Sequence, residues 1–186
     1  MKILGGKYKG RNFYMPAGIR PTQNVVRAAI FDLLGHDLRG ITFLELFAGS
    51  GAVGLEAISR GAQEVVMVEH NDLNAKTIRE NGEILGIEFG GPFSLVHGDA
   101  FSTVKRLSEE LKRFDIVFFD PPYSQNLAKK TLKLLARSDI LHPQSLVCVQ
   151  CEVSEKLEIP ENLDLLTQRR YGSSYLTLLQ RLVNND

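Results

Sequence analysis

Residues 43–57 read FLELFAGSGAVGLEA: an apolar run, a glycine cluster, then apolar residues at helical spacing. Within this stretch Gly49, Gly51 and Gly54 fit the pattern G-x-G-x-x-G. Glycines at these places permit a tight turn, close approach of a ligand to the backbone, and close packing of a helix on a sheet. Glu69 ends the next apolar run, at a spacing suited to a carboxylate that accepts hydrogen bonds from a ribose. The stretch therefore predicts a strand, a turn that cradles a nucleoside, and a helix.

Outward from there the pattern repeats. Strands are expected at Thr42–Leu46, Glu64–Val68, Phe93–His97, Phe114–Phe119 and Ser145–Cys151, with helices near Ala52–Arg60, Asn71–Leu85, Thr103–Lys112 and Leu127–Ala136. Continuous apolar strands alternating with helices argue for a parallel sheet covered on both faces. Two further runs, Leu165–Tyr171 and Tyr175–Leu182, flank Gly172-Ser173-Ser174 and predict a closing antiparallel hairpin. Ahead of the sheet, ILGGKYKGRNFYM (residues 3–15) reads as a short hairpin punctuated by glycines, and Pro21-Thr22 opens a helix that runs to Leu34. The fold class expected is Rossmann-like α/β, with a mostly parallel seven-stranded sheet. An extension over residues 1–39 precedes a larger domain over residues 40–186. In such sheets ligands bind beyond the carboxyl ends of the strands.

A chain of 186 residues that is 44% hydrophobic can bury one sizeable core. No run of 18 apolar residues occurs, and MKILGGKYKGR lacks the apolar stretch of a signal peptide. A cytoplasmic monomer without membrane attachment is expected. Cys148 and Cys151 lie in SLVCVQC, where strand alternation sends them to opposite faces. They read as strand residues rather than as a zinc or redox pair. His36, His70, His97 and His142 have no metal-ligand spacing, so no metal is expected; His70, next to Glu69, is placed to line a nucleoside pocket.

The net charge is zero, but it is unevenly distributed. Residues 1–31 carry Lys2, Lys7, Lys9, Arg11, Arg20 and Arg27 and no acid, a balance of +6, which leaves 16 basic against 22 acidic residues, −6, in the remainder. A basic appendage on an acidic body suits a grip on a polyanion, and equally a solvated surface.

The second informative stretch is VFFDPPY, residues 117–123. Two prolines end the strand ladder and force a rigid turn. If Asp120 and the Pro121 carbonyl both face the cleft, they form two fixed acceptors that match the two N–H bonds of a planar amino group. Such an amine is a poor nucleophile because its lone pair is delocalised. Two acceptors hold it in line for transfer without a covalent enzyme intermediate. Tyr123 adds an aromatic face for a ring, and stacking a base is worth about 1–3 kcal/mol.

Charge separates the candidate cofactors. A dinucleotide brings a pyrophosphate to the glycine turn, whereas S-adenosylmethionine brings a sulfonium, an ammonium and one carboxylate. Glu45, just before the turn, repels the first and favours the second, unless its side chain points away and pins the loop. Asp99, in HGDA, stands either as an acceptor for an adenine amino group or as the N-cap of the following helix.

Together FAGSGAVGLEA, VEHN, HGDA and DPPY resemble the class I S-adenosylmethionine-dependent methyltransferases that modify exocyclic amines. GGKYKGR, RPTQNVVRAAIFDLL, FAGSGAVGLEAISRGA, DPPY and the late RRYG resemble, in that order and over nearly the whole chain, the RsmD family. That resemblance implies methylation of guanine N2 in 16S ribosomal RNA. It implies cofactor contacts by Glu45, Phe47, Gly49, Gly51, Glu69 and Asp99, and their neighbours Ala48, Gly54, His70 and Ala100 are further candidates. It implies target-amine contacts by Asp120, Pro121 and Tyr123, with Pro122 between them, and an N-terminal hairpin and helix that help hold RNA, where the basic and aromatic candidates are Lys7, Tyr8, Lys9, Arg11 and Arg20. Tyr8 either stacks on RNA or packs within the hairpin. The chain departs from the family pattern at Asn24, Val25 and Ala28, which remove charges from the start of the first helix. The alternatives are methylation of adenine N6 or another exocyclic amine, a nicotinamide-dependent oxidoreductase, and a noncatalytic RNA-binding protein.

Overall fold

The computed structural model describes residues 1–15, 24–123 and 126–183. The expected strands and helices form. In chain order they are α1 (Asn24–Leu34), β1 (Thr42–Leu46), α2 (Ala52–Ser59), β2 (Glu64–Glu69), α3 (Asp72–Leu85), β3 (Phe93–His97), α4 (Ala100–Glu109), β4 (Phe114–Phe119), α5 (Leu127–Arg137), β5 (Leu141–Glu152), β6 (Leu163–Tyr171) and β7 (Ser174–Arg181). They build one seven-stranded sheet in the order β3-β2-β1-β4-β5-β7-β6. The first five strands are parallel; β7 runs antiparallel to β5, and β6 to β7.

Among the boundaries that differ from expectation, two starts have local reasons. Helix α4 begins at Ala100, three residues earlier, because the Asp99 side chain accepts a hydrogen bond from the Ser102 N–H and caps it. Strand β5 begins at Leu141 instead of Ser145, across an irregularity in its register with β4. The N-terminal hairpin narrows to a single antiparallel bridge between Lys2 and Asn12, its loop braced by bonds such as Ile3 N–H to the Arg11 carbonyl at 3.0 Å.

The core has two halves, one on each face of the sheet. One gathers Phe43, Phe118, Cys148 and Leu178 beneath α1 and α2, together with Ile3, Tyr8 and Phe13 of the N-terminal loop. The other gathers Leu44, Leu46, Val117, Phe119 and Cys151 beneath α4 and α5. The two cysteines thus lie on opposite faces, both buried and unpaired, and burial pushes both thiols up. They are core residues, as strand alternation requires. The N-terminal loop is fastened to α2 by polar bonds as well: Glu56 accepts from the Leu4 and Gly5 N–H groups, and Ser59 Oγ from the Tyr8 N–H. Residues 1–15 and α1 therefore share their apolar cluster with the sheet.

Strand order reverses between β1 and β4, where the chain leaves on opposite faces, so a crevice opens past their carboxyl ends. The pairing Glu45 with Phe118 and Leu46 with Phe119 brings the two strand ends level. The glycine turn and the Asp-Pro-Pro turn therefore emerge side by side.

Candidate active site

Those two turns line one cavity of about 440 Å³, within the range of small-molecule sites. Its wall includes Glu45, Phe47, Ala48, Gly49, Glu69 and His70 on one side, and Asp120, Pro121, Pro122 and Tyr123 on the other.

The glycine turn is held by two buried carboxyls. Glu69 is 4% exposed; its Oε2 accepts from the Gly49 N–H at 2.7 Å and its Oε1 from the Asn71 N–H at 2.8 Å. Glu45, 2% exposed, accepts from the Gly54 N–H at 2.9 Å, a donor that the first turn of α2 cannot satisfy internally. It both lines the cavity and pins the loop. Burial pushes the Glu45 carboxyl up to about 8, the Gly54 and Val53 N–H groups work against that rise, and Glu69 and Asp120 add to it. With Glu45 held largely protonated by that burial, the negative charge around the cavity falls to Glu69 and Asp120, and it favours a cation.

The turn itself demands unusual backbone. Phe47 has φ of 57°, in the left-handed region that a bulky side chain adopts only when its surroundings impose it, at a cost of order 1–3 kcal/mol. Its ring meets Phe101 edge-on, with centroids 6.5 Å apart. Gly51, at the N-cap of α2, has φ of 73°. At Gly54 the demand is for space: a Cβ there would sit 2.6 Å from Glu45 Oε2 and 2.6 Å from the Met67 side chain.

Four of the residues assigned to the cofactor do not reach the cavity wall. Gly51 and Gly54 shape the turn behind it; Asp99 caps α4, and Ala100 is the buried first residue of that helix. The N-terminal assignments divide similarly. Lys7 and Lys9 are exposed. Tyr8 is buried in the core, flanked by the Lys7 ammonium at 5.0 Å and the Arg11 guanidinium at 5.9 Å from its ring centre. Its ring packs with Ile3 and Phe13 in the apolar cluster. Arg11 donates to the Leu85 and Ile84 carbonyls, satisfying the C-terminus of α3. Arg20 lies outside the described residues.

Sequence reasoning missed one wall entirely. Tyr171, Gly172, Ser173 and Ser174, at the β6–β7 turn, line the cavity, and the Tyr123 hydroxyl lies 3.0 Å from Ser174 Oγ. Gln150 of β5 lines it too. A polar residue in the otherwise apolar SLVCVQC was the available signal.

A model of the family described as "Conserved hypothetical protein 95" matches residues 1–180. The chain belongs to this family, the RsmD family. It is 32% identical to a protein from Escherichia coli strain K12 named "Ribosomal RNA small subunit methyltransferase D", over 97% of this chain and 90% of that one. Among solved structures, a putative methyltransferase from Escherichia coli superposes with a TM-score of 0.86 at 29% identity, covering 99% of both chains. The fold is also shared, with a TM-score of 0.66 at 17% identity over 89% of this chain and 97% of the other, by an RNA methyltransferase from Salinibacter ruber in complex with S-adenosyl-L-homocysteine.

Proposed function

We propose that this RsmD-family chain transfers a methyl group from S-adenosylmethionine to the exocyclic N2 amine of a guanine in small-subunit ribosomal RNA. The observation that carries this reading is the facing of two turns across one cavity: the acid-lined glycine turn and the Asp120-Pro121 turn. The donor set fits a cationic cofactor. Glu69 and Asp120 disfavour a pyrophosphate, which argues against a nicotinamide dinucleotide. When bound, S-adenosylmethionine supplies an electrophilic methyl group on a positively charged sulfur.

The protein's residues do the rest by positioning. Glu69, on the strand beside the glycine turn, accepts the ribose hydroxyls while it keeps the Gly49 N–H. Glu45 holds the loop against α2. Asp120 and the Pro121 carbonyl accept the two N–H bonds of the target amine, turning its lone pair toward the methyl group and fixing the attack distance. Tyr123 stacks on the base and lowers the cost of holding it out of its own stack. Lys7 and Lys9, exposed on a loop fastened to α2, provide phosphate contacts. Neutralising both should reduce the salt-dependence slope of RNA binding by about 0.7–0.9 per lost contact.

The decisive test incubates the protein with labelled S-adenosylmethionine and small ribosomal subunits that lack the modification, followed by nucleoside analysis. Label in N2-methylguanine is expected. Label in N6-methyladenine transfers the same chemistry to a different ring, and no label in any nucleoside rejects the assignment.

A further inference from the structure

Among the described residues, four buried side-chain atoms have no hydrogen-bond partner: Arg27 Nε, Thr131 Oγ1, Gln150 Oε1 and Asn162 Oδ1. Three sit away from the cavity. Arg27 Nε lies 3.7 Å from Glu56, Thr131 is inside α5, and Asn162 donates through its other amide atom to the Ala136 carbonyl. Gln150 differs: it is 5% exposed and it lines the cavity. Its place follows from the sheet. Val149 pairs with Phe119, the last residue of β4, so Gln150 stands one position further along β5, beside the point where the chain leaves β4 at Asp120. By alternation it shares the face of Cys148, which packs with Phe118 and Val26, and both of those also line the cavity.

A buried amide oxygen without a partner is destabilising, and an apolar side chain of similar shape removes that penalty. Such a group persists where a ligand completes it. We propose that Gln150 is a specificity-determining residue whose carboxamide reads the edge of the target base beside the methylated amine. The proposal rests on the guanine-N2 reading above. With the N2 amine held by Asp120 and Pro121, the next two positions around guanine are N1–H, a donor, and O6, an acceptor. A carboxamide presents one acceptor and one donor side by side and satisfies both. Adenine held by its N6 amine offers N1, an acceptor, and then a C–H. One end of the amide stays unpaired whichever way the amide is turned. Selection of guanine follows from pairing two bonds against one.

The test uses Gln150→Met, which keeps length and removes the amide. It compares small subunits reconstituted with ribosomal RNA carrying either guanine or 2-aminopurine at the nucleotide that the parent protein methylates. 2-Aminopurine keeps the N2 amine and lacks both N1–H and O6. The parent should methylate guanine about 10- to 100-fold faster than 2-aminopurine, the discrimination typical of a paired base contact. In Gln150→Met the guanine rate should fall to near the 2-aminopurine rate, leaving less than about a threefold difference. Affinity for S-adenosylhomocysteine should be unchanged and the Tm equal or higher, which a purely structural glutamine would not permit. A variant that keeps the parent's preference overturns the role of Gln150, as does one that loses Tm and S-adenosylhomocysteine binding together. In Gln150→Glu, which retains an acceptor of the same length, the preference for guanine should survive in part; its complete loss there, with folding intact, counts against the proposal. Label from the parent in any nucleoside other than N2-methylguanine sinks the guanine reading itself, and this proposal with it.

Discussion

The two ends of the cavity are built on different terms. At the glycine turn the polar groups answer one another: Glu69 takes the Gly49 and Asn71 N–H groups, and Glu45 takes the Gly54 N–H. At the opposite end Pro121 and Pro122 have no N–H to give, and the Gln150 amide oxygen is buried without a partner. The first end is stable by its own bonds, and strain such as that at Phe47 is over-determined by its surroundings. The second end keeps one buried acceptor open, although Tyr123 is tied to Ser174. Cofactor affinity and acceptor chemistry should therefore separate under mutation, and the following variants test that separation in order of expected effect.

Asp120→Ala should lower the methyl-transfer rate by about 10²-fold or more, because an amine no longer fixed loses its attack geometry. S-adenosylhomocysteine affinity, read by calorimetry, should move by less than about threefold. Equal loss of both would erase the distinction between the two ends. Gly54→Ala should act from the other side. Its Cβ would lie 2.6 Å from Glu45 Oε2 and from Met67, an overpacking that costs about 1–3 kcal/mol. A thermal melt should show a Tm lowered by about 3–10 °C, with cofactor affinity falling alongside.

Glu45→Gln sharpens the electrostatic half of the comparison. Burial raises the Glu45 carboxyl from 4.5 to about 8. Between those values the folded protein holds a proton that the unfolded chain releases. The stability tied to this group is thus fully present below about 4.5 and is lost as the pH rises through about 8. The variant should lose less Tm than the parent between pH 5 and pH 8.5, and parallel profiles would remove Glu45 as the source. The smallest effect belongs to Tyr123→Phe. It loses the 3.0 Å contact with Ser174 Oγ and keeps the ring, so the rate should fall by less than about fivefold, whereas Tyr123→Ala, without the ring, should cost about 10-fold or more.

How much of this the sequence disclosed follows from how local each feature is. The glycine turn and the Asp-Pro-Pro turn were legible because each is a short run whose chemistry is set by adjacent residues, and the alternation of strands and helices placed both at the same edge. Gln150 and the Tyr171–Ser174 turn were not, because β7 inserts between β5 and β6 and brings that turn beside Tyr123 from 51 positions away. Residue type alone also left the N-terminus undecided. An aromatic between lysines reads the same whether its ring stacks on a base or, like Tyr8, packs inward beneath them. Arg11 likewise gives no sequence sign that its partners are the last carbonyls of a helix more than 70 residues away.

The late arrival of β7 bears on synthesis. A ribosome releasing this chain delivers Glu45, Glu69 and Asp120 well before Ser174, and the cavity is fully walled only when β6 has emerged and β7 has slotted in beside β5. Until β7 pairs with β5, the cavity lacks the wall that Tyr171–Ser174 provide.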